Sequence, residues 1–200
     1  MDITSDQVVQ LGKNLLFFNN GGKNAAWMTK TSAAFPEKGV EDYYLCGMTL
    51  VDTASGQGLG FKAEQTNFDS KYINFQDQKT SMACADNVKV LASGGFSGCI
   101  FQLWRDEKGL TWGTHVYKGV DVNADISLAA KAKGWTLLYS IDTAGKGKDG
   151  SEIFVVAVMG AKNADIISQR IKNGKCEKLV DWYTVYDWKK AAIPGIVEAS

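Results

Sequence analysis

Residues 93–118 read SGGFSGCIFQLWRDEKGLTWGTHVYK. Two apolar-aromatic runs, Ile100 to Arg105 and Leu110 to Lys118, flank Asp106, Glu107, Lys108 and Gly109. That pattern predicts a β-hairpin. The turn decides what the hairpin presents, because a slip of one residue sends every side chain to the other face. A loop of even length pairs Arg105 with Leu110 and separates Cys99 and His115 onto opposite faces. A three-residue loop of Glu107, Lys108 and Gly109, with its glycine left-handed, pairs Asp106 with Leu110 and Phe101 with His115. Cys99 and His115 then share a face as diagonal neighbours, about 7–8 Å apart at the backbone. Gly109 stands where the second loop needs it, so that register is the expected one.

Cys99 is a candidate nucleophile, and His115 is the only histidine in the chain. A thiol attacks well only once deprotonated, and its free pKa is about 8.5. An adjacent imidazole, of pKa about 6.5, can take that proton and hold the thiolate as an ion pair. Gly94, Gly95 and Gly98 let the backbone turn sharply before the cysteine. Amide groups so exposed, that of Cys99 included, can form an oxyanion hole. The structural alternative is plain: cysteine is often a buried core residue, and a histidine among aromatics is often only packed.

Phe96-Ser97-Gly98-Cys99, followed by a strand and then a histidine on the next strand, resembles the Leu-Ser-Gly-Cys signature of the glutamine deamidases. The group in question is the cytotoxic necrotizing factor-like and Burkholderia lethal factor 1-like family. The resemblance spans residues 93–118, and Phe96 replaces the family's leucine. It implies a fold of mixed β-sheets wrapped by helices, with Cys99 as nucleophile and His115 as base. Ser93, six residues before the cysteine, matches a family threonine that orients the histidine. The implied activity converts a glutamine of a host protein to glutamate through a thioester, without metal or cofactor. Two other readings are a non-enzymatic β-sandwich binding module and a cysteine protease or acyltransferase using the same pair.

The rest of the chain fits one domain over residues 1–200, with no repeat and no linker. Lysine plus arginine equals aspartate plus glutamate at 22 each, so no clustered positive charge points to nucleic acid. No apolar run is long enough to span a bilayer. The start, MDITSDQVVQL, lacks a secretory signal pattern. The expected protein is a soluble monomer, secreted or injected into a host by a route without a cleavable signal. The four cysteines form no CxxC or Cys/His cluster, so zinc is not expected and reduced thiols are. Helices are predicted at Ser5 to Phe18, Ile126 to Lys133 and Asn163 to Asn173. Strands are predicted at Tyr43 to Val51, Leu59 to Lys62, Lys71 to Phe75, Val88 to Ala92, Trp135 to Ile141, Ile153 to Val158 and Cys176 to Tyr186. Thr53 to Gly60, Gln76 to Ala85 and Thr143 to Ser151 read as loops. Together with the fold that the resemblance implies, the expected fold class is α+β, a β-sandwich of mixed sheets flanked by helices. Asp121 and Asp125 are candidates for a third, acidic member of the site. Trp104 and Trp112 are either core or a platform for a substrate side chain. Trp182, Tyr183, Tyr186 and Trp188 form an aromatic group near the end, an edge of the core or a binding patch.

Overall fold

A computed structural model describes residues 27–189, apart from 54–55, 64–65, 120–123, 148 and 174. The helix predicted at Ser5 to Phe18 lies outside these residues, as do Asp121 and residues 190–200. The described chain is almost entirely strand. β1 is Trp27–Lys30, β2 Gly39–Thr53, β3 Gly56–Ala63, β4 Ser70–Ile73, β5 Thr80–Cys84 and β6 Val90–Phe96. β7 is Ile100–Arg105 and β8 Thr111–Val116; the short helix α1 follows at Ser127–Ala132. β9 is Thr136–Asp142, β10 Glu152–Met159, β11 Ala164–Lys172 and β12 Lys175–Val185. The expected α+β sandwich with flanking helices is therefore corrected to a nearly all-β fold with one six-residue helix among the described residues.

One sheet carries all twelve strands, in the order β12-β11-β10-β6-β4-β2-β5-β8-β7-β9, with β1 and β3 also paired to β2. The β2–β5 and β4–β6 pairs are parallel and the others antiparallel. The sheet curls until its two ends meet. Tyr139 of β9 donates its hydroxyl to Asp181 of β12 at 2.7 Å, and its ring lies 5.3 Å from that of Tyr183. The result is a nearly closed barrel joined at a seam of side chains.

Alternation along the strands sorts the core into layers. Ile73, Leu91, Phe101, Leu103, Ile153, Val155 and Ile166 fill the inside. On the outer face, Phe61 of β3 packs with Val90, Phe154, Val156 and Ile167. A second outer cluster joins Phe35, Trp104, Trp112, Ile126 and Trp135, under α1. Trp104 and Trp112 thus sit behind the sheet from His115, and the substrate-platform reading fails for them. Trp182, Tyr183 and Tyr186 are exposed, whereas Trp188 is buried and donates its indole N–H to the Gly160 carbonyl.

The predicted helix at Asn163 to Asn173 is strand β11. Ala164, Ile167 and Ile171 have helical spacing, but the segment is covered on both sides, Ile166 inside and Ile167 outside. Burial on two faces erases the period-2 signal, and the β-branched isoleucines favour the sheet. β5 falls within the predicted loop Gln76 to Ala85, and β3 begins within Thr53 to Gly60. Small and polar residues in both hide the pattern. The hairpin adopts the three-residue form: Phe101 pairs with His115, and the Asp106 N–H donates to the Leu110 carbonyl at 2.8 Å. Gly109 has φ of 84°. The Asp106 carboxylate anchors the turn, accepting the Lys108 and Leu110 N–H groups and the Trp112 indole.

Candidate functional site

The barrel brings residues from two strands, and from the turn that leads into a third, together in its interior. His115 lies one residue from the end of β8, Cys99 immediately before β7, and Ser93 midway along β6. Cys99 and Phe101 belong to the inner cluster, and His115 is cross-strand partner to Phe101, so the thiol and imidazole share the inner face. Gly94 follows Ser93, and a Cβ there would fall 2.5 Å from the Phe154 ring. Gly98, at φ of 154°, makes the turn that delivers Cys99.

The imidazole reaches across the interior to the opposite wall. Ser93 Oγ lies 3.0 Å from His115 Nδ1 and donates to the Ile73 carbonyl at 2.9 Å. A hydroxyl has one proton, and Ile73 takes it. Ser93 must therefore accept from Nδ1, which fixes the tautomer: Nδ1 carries the hydrogen and Nε2 keeps a lone pair. Nε2 is buried and has no hydrogen-bond partner. The Phe96 ring stacks on the imidazole at 3.9 Å, and Phe75 meets it edge-on at 5.5 Å. Phe75 is half exposed and caps the ring on the solvent side.

Burial decides the protonation states. It pushes the His115 imidazole down to about 3. It also raises the Cys99 thiol above its ordinary value, opposed by the Lys118 backbone N–H that faces the sulfur. The resting pair is a neutral thiol and a neutral imidazole, which corrects the expected thiolate–imidazolium pair. Since Nε2 is unpaired, Cys99 makes no hydrogen bond to it. Catalytic hydrogen bonds often tighten only once substrate is bound. At neutral pH, Cys99 is expected to react with iodoacetamide no faster than an ordinary cysteine, its rate rising only at pH values above the ordinary cysteine range. Peptide mass mapping over a pH series checks this, and fast labelling at pH 7 would contradict the neutral pair.

Cys99 is held by its backbone. Thr143 donates both its N–H, at 3.2 Å, and its hydroxyl, at 2.7 Å, to the Cys99 carbonyl. Beside it, Lys118 and Asp142 pair at 2.5 Å on the exposed rim, and the lysine holds that carboxyl below its usual range. Asp125 does not join the site. Its carboxylate accepts the Ser127 N–H and hydroxyl just ahead of α1, while the N-cap of that helix is Ile126, which offers no side-chain cap, so the expected capping role is corrected to a local turn contact. All four cysteines are free thiols. Among the described residues, no group of three histidines, cysteines, aspartates or glutamates could hold a metal ion, and no helix is long and apolar enough to cross a membrane.

Sequence reasoning missed Ser81, Phe75 and Thr143. Ser81 is the cross-strand partner of His115 on its other side, and its hydroxyl is also buried without a partner. Its signal was lost in a stretch of small polar residues. Comparisons of the chain with protein-family models, with curated proteins and with solved structures return no match.

Proposed function

We propose that this protein is a cysteine-dependent amidohydrolase that converts a glutamine side chain of a host protein to glutamate. One observation supports this above all: Ser93 and the Ile73 carbonyl hold His115 with Nε2 as a free base, on the inner face it shares with Cys99. The mechanism starts from neutral partners. As the carboxamide carbon approaches, the Cys99 proton passes to Nε2 and sulfur attacks, forming the C–S bond. Backbone N–H groups of the Ser97-Gly98-Cys99 turn hold the developing oxyanion. The imidazolium, its Nδ1–H still accepted by Ser93, gives its proton to the leaving nitrogen, and ammonia departs. Water, deprotonated by Nε2, then hydrolyses the thioester to the carboxylate and restores the thiol.

A host-directed role implies delivery into a host cell, and a monomer suffices for the chemistry. A binding module without catalysis is the competing reading, favoured by the burial of His115, which is 1% exposed. Host lysate incubated with the protein and mapped by mass spectrometry separates the two. The expected result is a gain of about one dalton at a glutamine, from exchange of an amide nitrogen for oxygen. A lysate with no such gain overturns the proposal, and cleaved chains would point to a protease.

A further inference from the structure

We infer that Ser81 is a positioning residue for the water that releases the acyl group from Cys99; this rests on the amidohydrolase reading and extends it. Ser81 on β5 and His115 on β8 are directly paired across an antiparallel ladder, so their side chains leave the sheet on one face as neighbours. That face is the barrel interior, as Ala83, two residues along β5, belongs to the inner cluster. Ser81 is fully buried. Its Oγ and the Nε2 of His115 are both buried without a hydrogen-bond partner. Two such atoms on adjacent strands are unusual in a native interior, where buried polar groups are almost always satisfied. Ser93 shows the contrast: its hydroxyl is matched on both sides. The pair Ser81 Oγ and His115 Nε2 offers two acceptors to one small donor of two hydrogens, and water is that molecule.

The role follows from the second half of the reaction. With the acyl group on Cys99, one water hydrogen points at Nε2 and the other at Ser81 Oγ. The oxygen lone pair is left for the thioester carbon. The C–O bond forms as the first hydrogen passes to Nε2 as a proton. The tetrahedral adduct then collapses, the C–S bond breaks, and the imidazolium returns its proton to sulfur. Thioester plus water gives carboxylic acid plus thiol, with no other reactant. Ser81 exchanges no proton in this sequence and has no part in the attack of Cys99.

4-Nitrophenyl acetate tests this without knowledge of the natural target, since its activated carbonyl can acylate the neutral Cys99 thiol as Nε2 takes the proton. Intact mass follows formation and loss of the acetyl-enzyme. In Ser81→Ala, acetylation of Cys99 is expected to proceed at the wild-type rate. Loss of the acetyl group is expected to slow about ten- to hundredfold, the scale set by misplacing a reactant. Ser81→Thr restores the hydroxyl and is expected to recover most of the rate. Retained acetylation of Cys99 shows that the alanine variant is folded around the site. Equal deacetylation rates in wild type and Ser81→Ala overturn the inference and leave the amidohydrolase reading standing. Slowed acetylation in step with slowed release assigns Ser81 a general structural role and also overturns it. A wild-type protein whose Cys99 accepts no acetyl group overturns both.

Discussion

Cys99→Ala is expected to reduce ammonia release from a glutamine-bearing protein by a factor on the order of a thousand or more, the usual consequence of deleting a covalent nucleophile. The fold should survive. The residue is held by its carbonyl, which receives the Thr143 N–H and hydroxyl, and alanine keeps that carbonyl. Loss of one buried sulfur costs about 1 kcal/mol, against a typical stability of about 5–15 kcal/mol. Ammonia assay and thermal melt together read the two effects. Because the resting thiol is protonated, Cys99→Ser is no mild substitute. A serine hydroxyl is harder still to deprotonate, and the neutral base at Nε2 has little driving force to do so. Undiminished ammonia release from Cys99→Ala would remove the sulfur from the mechanism and with it the deamidase reading.

The second large effect is on stability and is read without substrate. His115 has a folded-state pKa near 3, against about 6.5 when unfolded. Above pH 6.5 both states are neutral at this residue, and its burial goes unpenalised. Below pH 6.5 the unfolded chain takes up a proton that the folded one refuses, so folding stability falls as pH falls. The slope is about 1.4 kcal/mol per pH unit. Between pH 6.5 and 5 the loss is about 2 kcal/mol, and by pH 3 it is on the order of 5 kcal/mol. The upper window is diagnostic, since the chain has one histidine and carboxylates titrate mostly below it. His115→Phe removes the titration while Ser93 keeps its bond to the Ile73 carbonyl. Urea unfolding from pH 7 to 5 is expected to show the slope in the wild type and a nearly flat line in the variant. Parallel lines would mean that the imidazole is solvated when folded.

How far the sequence foretold this molecule depended on whether the signal was local. Asp106 to Gly109 set their turn by nearest-neighbour chemistry, and the register that puts His115 opposite Phe101 followed. Ser93 entered through its place in a resemblance, and the structure puts its hydroxyl on Nδ1. β11 was obscured because both its faces are buried, so its isoleucines mimic a helical stripe. β5 was obscured because Thr80, Ser81 and Ala83 are too small and polar to announce a strand, and with it went Ser81. The curling of the sheet was beyond reach, as it rests on Tyr139 meeting Asp181 and Tyr183, contacts about forty residues apart that no periodicity encodes.

That meeting point has a mechanical meaning. β9 and β12 each have one strand partner among the described residues, and side chains alone span the gap between them. The molecule is thus a split ring rather than a hoop. Arg105 of β7 and Thr111 of β8 also reach over the cut, donating to the Asp187 and Trp188 carbonyls just beyond β12. The hairpin bearing the imidazole is separated from that cut by β9 alone on one side, while the rest of the ladder anchors it on the other. A ring built this way is closed at its margin by side chains, while the wall that carries the histidine is held by the backbone ladder.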